Sequence, residues 1–226
     1  MRHYSCILFS GLFLLFSGFV SLLQAAEPIS LFHGKTLDDF DYFLSDNAAK
    51  TDVFSLAGDG VLKVTGNPFG WLGTKNEYTN FVLKVEYRYP DLNNTSNSGI
   101  FLRAHGNTGM FLPVCVEVQL APDSMGHLFG FWDMKIGDNA GRCELNANHQ
   151  MVKVLRTVKN FRNARLEDLS QWHTAEILCY GDFVAVYING QLANWANGVE
   201  TVPGKVAFQS EGAPIEFRNA ELTVLD

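Results

Sequence analysis

From Val53 to the C-terminus, apolar and polar residues alternate in short runs separated by turn-forming residues. This is the period of two expected of strands, not the 3.6-residue period of amphipathic helices. In 80–89 (N-F-V-L-K-V-E-Y-R-Y), Phe81, Leu83, Val85 and Tyr87 share one face, Lys84, Glu86 and Arg88 take the other, and Pro90 ends the run. Further strand-like runs cover 98–105, 114–121, 127–131, 173–180, 182–189, 191–196, 204–210 and 214–225. The segment 53–64 reads as a hairpin in which Gly58 and Gly60 supply positive φ. Gly181-Asp182 and Asn189-Gly190 mark two further reversals. About ten short strands in one domain cannot form a single open sheet without leaving a face and two edges unburied. The expected fold is therefore all-β, an antiparallel two-sheet jelly-roll sandwich filling residues 27–226 as one domain. Residues 133–170 show little alternation and read as a long insertion or lid on one side of the sandwich.

Strand parity also sorts the candidate chemistry. Val114, Val116, Val118 and Leu120 share a face, which puts Cys115, Glu117 and Gln119 on the opposite one. By the same rule Arg103 and His105 lie with Phe101, opposite Ile100, Leu102 and Ala104. Gln209 and Glu211 oppose Val206 and Phe208. If these strands are neighbours, Arg103, Glu117, Gln119, Gln209 and Glu211 converge. Ordinary half-exposed sheets also carry polar residues on one face, but Arg, Gln and an aromatic together are what a sugar-contacting concave sheet presents. Trp71 sits among glycines in G-N-P-F-G-W-L-G-T (66–74), which either presents its ring from a loop for stacking on a pyranose or plugs the sandwich edge. His127 and His149 are isolated and carry no role beyond candidacy in the wall formed by the insertion. There is no G-x-S-x-G elbow, P-loop or H-E-x-x-H. The strand E-x-D-x-x-E of two-carboxylate sandwich glycosidases is also missing, since Glu117 is followed by Gln119 and no acid three residues on.

Composition narrows the partners. Against 24 Asp+Glu there are 17 Lys+Arg, a formal charge of −7, with no basic run to track phosphates, so nucleic acid is excluded as a partner class. The first 26 residues read as a secretory signal: Arg2 and His3, an apolar run from Cys6 to Leu23, then Gln24-Ala25-Ala26 before polar Glu27. Left uncleaved, the same run would be an N-terminal membrane anchor; either way the expected destination is outside the cytoplasm. Losing Arg2 takes the charge to −8, and no second apolar stretch is long enough to span a bilayer, so the mature chain is expected to be soluble. Lys135, Arg142, Lys153, Arg156, Lys159, Arg162 and Arg165 gather in the insertion, which is expected to form a locally positive wall. Cys115, Cys143 and Cys179 show no zinc spacing and read as buried thiols, with one disulfide an open alternative.

An ordered set of short motifs then becomes recognisable: S-L-F-H-G-K-T-L-D-D-F, N-E-Y-T-N-F-V-L-K-V-E-Y-R, N-S-G-I-F-L-R, V-E-V-Q-L, V-Y-I-N-G and P-I-E-F-R-N-A-E-L. Together they resemble the 3-keto-disaccharide hydrolase family, a group of exported bacterial proteins. The resemblance implies a concanavalin A-like jelly roll and cleavage of glycosides oxidised at C3, by hydrolysis or by elimination. A C3 ketone acidifies the C2 hydrogen, so the chemistry needs a base near C2, a donor at the enolate oxygen and a proton for the leaving oxygen. Carried over by position, Glu117 is implied as base or metal ligand, and Arg103 as its charge partner or as enolate stabiliser. Gln119 and Gln209 are implied as hydroxyl binders. Where the family has G-L-Q-x-H-G this chain has A-F-Q-S-E-G, placing Glu211 at a position often held by His. A divalent metal acting as Lewis acid is an open expectation, for which Glu117, Glu211 and His105 are on offer without diagnostic ligand spacing. The expected partner is a carbohydrate or small glycoside; the alternative is a non-catalytic glycan-binding module on the same fold.

Overall fold

The alternating runs pair into two eight-stranded sheets. The computed structural model describes residues 26–33, 36–137, 141–161, 166 and 168–226; the signal-like segment up to Ala25, Arg162 and Arg165 lie outside them. In chain order the strands are β1 (Ile29–Ser30), β2 (Phe40–Leu44), β3 (Phe54–Leu56), β4 (Leu62–Val64), β5 (Gly70–Thr74), β6 (Phe81–Arg88), β7 (Gly99–His105), β8 (Val114–Gln119), β9 (Leu128–Phe131), β10 (Cys143–His149), β11 (Lys153–Val158), β12 (His173–Tyr180), β13 (Phe183–Ile188), β14 (Gln191–Ala196), β15 (Lys205–Ser210) and β16 (Ile215–Val224). One sheet runs β14-β13-β12-β6-β16-β4-β3 with β1 added to β16; the other runs β10-β11-β9-β8-β7-β15-β5-β2. Every pairing between these strands is antiparallel. The architecture is the expected all-β two-sheet sandwich.

The main core lies between the sheets, where Phe81, Leu83, Val85 and Tyr87 of β6 join Ile100 and Leu102 of β7 and Val116 and Val118 of β8. A second apolar cluster covers the other face of the second sheet: Trp71, Phe101, Ala104, Leu112, Cys115, Phe131, Val152 and Ala207. The middle of that sheet is consequently buried on both sides, and every residue of β8 is buried. This double burial turns the polar residues of β8 from surface groups into interior ones.

Several expectations change in the structure. The insertion 133–170 is not a separate lid. It contains the β10–β11 hairpin, whose β11 pairs with β9 (Leu155 with Phe131, Val158 with Leu128) and so widens the second sheet. Strand β10 is largely solvated, so no alternation betrayed it. Of the cations expected to form a positive wall, Lys135 and Lys153 are exposed, and three others make contacts that hold the hairpin in place. Arg142 donates to Asn194 Oδ1 and Trp195 O, Arg156 donates to Met134 O at 3.2 Å, and Lys159 pairs with Glu144 at 2.7 Å. In the 53–64 hairpin only Gly60 takes a positive φ (79°), whereas at Asn189-Gly190 both residues do (49° and 73°), as a tight primed turn requires. Cys115 and Cys179 are buried thiols. No helix among the described residues is long and apolar enough to cross a membrane.

Candidate active site

Glu117 points outward from β8 into the face covered by the second apolar cluster. Its neighbours in register are Phe101 on β7 and Phe129 on β9. Two residues further along β8, Gln119 pairs with Gly99. A Cβ at Gly99 would overlap Glu117 Oε1, so the bare glycine is the gap into which the carboxyl fits. Beyond β7 lies β15, whose Gln209 is fully buried and donates through Nε2 to Glu211 Oε2 at 2.8 Å. Asn97, just ahead of β7, donates through Nδ2 to the same oxygen at 2.6 Å. Two carboxyl groups are thus gathered with two amides from three adjacent strands. Gln119 Oε1 accepts the Ala121 N–H at 2.8 Å, which fixes its amide with Nε2 as the end left for a ligand.

Burial governs the electrostatics. Desolvation pushes the Glu117 carboxyl well above the usual carboxylate range, and the charge of Glu211 raises it further, against the opposing hydrogen bond from Gln209. Glu211 is raised too, by burial, while the bonds from Asn97 and Gln209 hold it down. The pair therefore keeps a proton far above the pH at which a solvated glutamate sheds it. Burial favours the proton on Glu117, and the better-solvated, doubly hydrogen-bonded Glu211 is the member on which the charge is favoured.

The cavity in front of them has a volume of about 150 Å³ and is open to solvent. Asn97, Glu117, Gln119 and Glu211 line one part of it, and Leu112, Phe129, Phe131, Met151 and Leu155 the rest, with His149 from the hairpin at the rim. Glu117 Oε1, Asn97 Oδ1, Gln209 Oε1 and His149 Nδ1 are buried without a hydrogen-bond partner. Native folds rarely leave such atoms orphaned, and here four gather at one cavity and the carboxylate it exposes.

The structure thus brings together Glu117, Gln119, Gln209 and Glu211 from the sequence-derived set. Arg103 is elsewhere. A register shift between Leu102 and His105 and a φ of 52° at Arg103 turn its side chain away from the Phe101 side, so it is no charge partner of Glu117. Its guanidinium is fully buried and donates to Thr79 O, Gly181 O and Glu200 O at 2.7–2.9 Å. His105, at the strand end, places Nδ1 2.8 Å from Arg103 O and does not line the cavity. Trp71 is not on a loop: it belongs to β5, is 3% exposed and donates Nε1–H to Met110 O, so its ring is part of the second cluster and unavailable for stacking. Asn97 and His149 complete the site without having been assigned to it from sequence. Asn97 stands inside the motif N-S-G-I-F-L-R, but only the pairing with Glu211 gives it a purpose. For a divalent cation the oxygen donors are hard ones, yet no group of three or more His, Cys, Asp or Glu side chains among the described residues gathers closely enough to hold an ion. The side chains as they stand do not form a cation site.

Comparison with known proteins agrees with the sandwich fold. No curated protein sequence matches the chain. Among solved structures, a Parabacteroides distasonis protein provisionally named a glycosyl hydrolase superposes with a TM-score of 0.60 at 18% identity, over 88% of this chain and 100% of that one. A Bacillus licheniformis beta-glucanase gives 0.58 at 11% identity, over 90% and 100%, and a carbohydrate-binding module from Bacillus subtilis 0.58 at 11%, over 82% and 95%. At these identities the likeness is one of fold. The 3-keto-alpha-glucoside-1,2-lyase-like domain, by contrast, matches residues 27–223, nearly the whole described sandwich, and the chain belongs to that carbohydrate-active family.

Proposed function

We propose that the protein is an exported enzyme that cleaves the glycosidic bond of 3-keto-glycosides, by abstraction of the C2 proton and elimination of the C1 substituent. The observation that supports it is that Glu117 and Glu211 face one cavity, with the Glu117 carboxyl raised by burial and by the charge of Glu211 and its Oε1 left without a partner. Elimination needs such a pair. Glu211 takes the C2 proton, and the electron pair left at C2 delocalises onto the C3 oxygen, where the Gln119 Nε2–H donates to the enolate. Collapse of the enolate forms the C1–C2 double bond and breaks C1–O, and Glu117 gives its proton to the departing oxygen. The products are a free alcohol and an unsaturated keto-sugar; the charge on Glu211 passes to Glu117, and proton exchange with water resets the pair. Asn97 and Gln209 hold Glu211 in place through bonds of 2.6 and 2.8 Å.

The test is incubation of purified protein with 3-keto-glucosides and 3-keto-disaccharides, with and without divalent cations, following release of the alcohol and appearance of the enone chromophore. Release with an ultraviolet-absorbing product is expected. Inactivity on every keto-glycoside, together with binding of unoxidised oligosaccharides that survives Glu117→Gln, would make it a glycan-binding module instead.

A further inference from the structure

The cavity has two parts of opposite chemistry. The wall formed by Asn97, Glu117, Gln119 and Glu211 is the one the keto-sugar ring must face, since C2, the C3 oxygen and the leaving oxygen all need partners there. The part of the cavity beside it is apolar, and β9 and β11 supply most of it, with Phe129 next to Glu117 in register on the same sheet face. Phe129 and Phe131, alternate residues of β9, project to the same side, and their rings lie nearly parallel (5°) with centroids 6.3 Å apart. Phe101 meets Phe131 edge-on at 90° and 6.4 Å, fixing that ring. Leu155 stands opposite Phe131 across the β9–β11 pairing, and Met151, 56% exposed in the hairpin turn, forms the open edge.

Apart from His149 at the rim, this wall offers no side-chain donor or acceptor. A second sugar placed there would set its hydroxyls against phenyl and leucine surface, stripped of water and unpaired. A flat apolar group would instead exchange water for ring and methyl contacts, with the flexible Met151 thioether adapting to its outline. Resting on the cleavage reading above, we infer that the group expelled from C1 is an aromatic or arylalkyl alcohol, so that the substrates are aryl-type 3-keto-glycosides and not 3-keto-disaccharides. The Phe129–Phe131 stack, Leu155 and Met151 are then the aglycone subsite.

The test compares benzyl and methyl 3-keto-glucosides, in both anomeric forms, because their leaving alcohols are closely matched in acidity and differ chiefly in the ring. The benzyl compound is expected to show a kcat/KM about 10- to 100-fold higher than the methyl compound, and also higher than 3-keto-trehalose. Met151→Asn, at an exposed turn, should reduce the benzyl-to-methyl ratio several-fold. Equal rates for benzyl and methyl, or faster turnover of the disaccharide, would overturn the inference while leaving the cleavage reading intact. If no compound is cleaved, calorimetric titration with the same two glucosides decides separately. Benzyl binding about ten-fold tighter sustains the apolar subsite although the reaction assigned to it falls; equal affinity, or no binding of either, overturns the subsite as well.

Discussion

Strands β7 and β8 each bury an ionisable side chain, and the two have opposite surroundings. The Arg103 guanidinium makes four hydrogen bonds to three backbone carbonyls, at Thr79, Gly181 and Glu200, which lie just ahead of β6, in the β12–β13 turn and beyond β14. It ties the end of the second sheet to the loops of the first, and nothing about it is left open. Glu117, on the neighbouring strand, has an oxygen with no partner, a carboxyl held protonated, and more orphaned atoms around it. A buried polar group whose hydrogen bonds the fold completes is structural. One whose bonds the fold leaves incomplete costs stability and is explained by a ligand that completes them.

The largest separation between the two should appear on substitution. Glu117→Gln and Glu211→Gln each remove a proton-transfer group and are expected to lower kcat/KM by about 10²- to 10⁴-fold, with no loss of thermal stability. Arg103→Ala removes a fully buried side chain and strands three carbonyls, an expected loss of about 3–5 kcal/mol. In a domain of this size that lowers Tm by roughly 10 °C or more, while the fraction still folded at low temperature keeps its kcat/KM. Thermal melts read beside activity at low temperature decide both. An Arg103→Ala protein that melts normally but is inactive would reverse the assignment and restore Arg103 to the site.

Why the sequence misplaces Arg103 but not Glu117 has a local cause. Parity arguments hold as long as the strand is regular, and β8 is regular from Val114 to Gln119. Strand β7 is not: the irregularity after Leu102 moves Ala104 to the Phe101 side and Arg103 away from it, and no residue in F-L-R-A-H announces it. Trp71 illustrates a different failure. The glycines around it read as a flexible loop, but Gly70 is there because a Cβ would collide with Phe43 O, and Gly73 because the Trp71 ring lies against it. Glycines required by close packing and glycines required by a turn look alike in a sequence. His149 was hidden because β10 has no buried face of its own, so its strand carries no alternation, and only the pairing of β11 with β9 brings the hairpin over the cavity. The sandwich itself was legible, because β6 and β12 bury one face and leave the other more open, and turn residues separate the short apolar runs that follow.

A finer test concerns how Glu117 is placed and not its chemistry. Gly99→Ala would put a methyl against Oε1, Cδ and Cγ of Glu117, all of them side-chain atoms, so the side chain from Cγ outward would have to swing aside while the backbone stays in place. A displacement of about 1 Å at a reacting group costs about 10²-fold in rate. Gly99→Ala is therefore expected to lower kcat toward that extent with a Tm change far smaller than that of Arg103→Ala. Near-normal kcat in a folded Gly99→Ala protein would show that the position of Glu117 is not what the cavity depends on.

The smallest expected effect is a gain. Because burial and then Glu211 raise the Glu117 carboxyl, the native state keeps a proton that the unfolded chain releases above about pH 4.5. Folding stability associated with this group is thus complete below that pH and declines as pH rises toward the raised native value. Glutamine has no proton to lose, so wild type and Glu117→Gln should melt alike near pH 4. As pH rises the variant should become the more stable of the two, the gap widening by about 1.4 kcal/mol for each step of one in pH. The difference should level off once the pH passes the native value, because both the folded and the unfolded wild type are then ionised at this position. Melting both proteins across this range checks the sign as well as the size. A constant offset between them would mean that the Glu117 carboxyl is not raised in the native state, and that its place in the comparison is closer to that of Arg103.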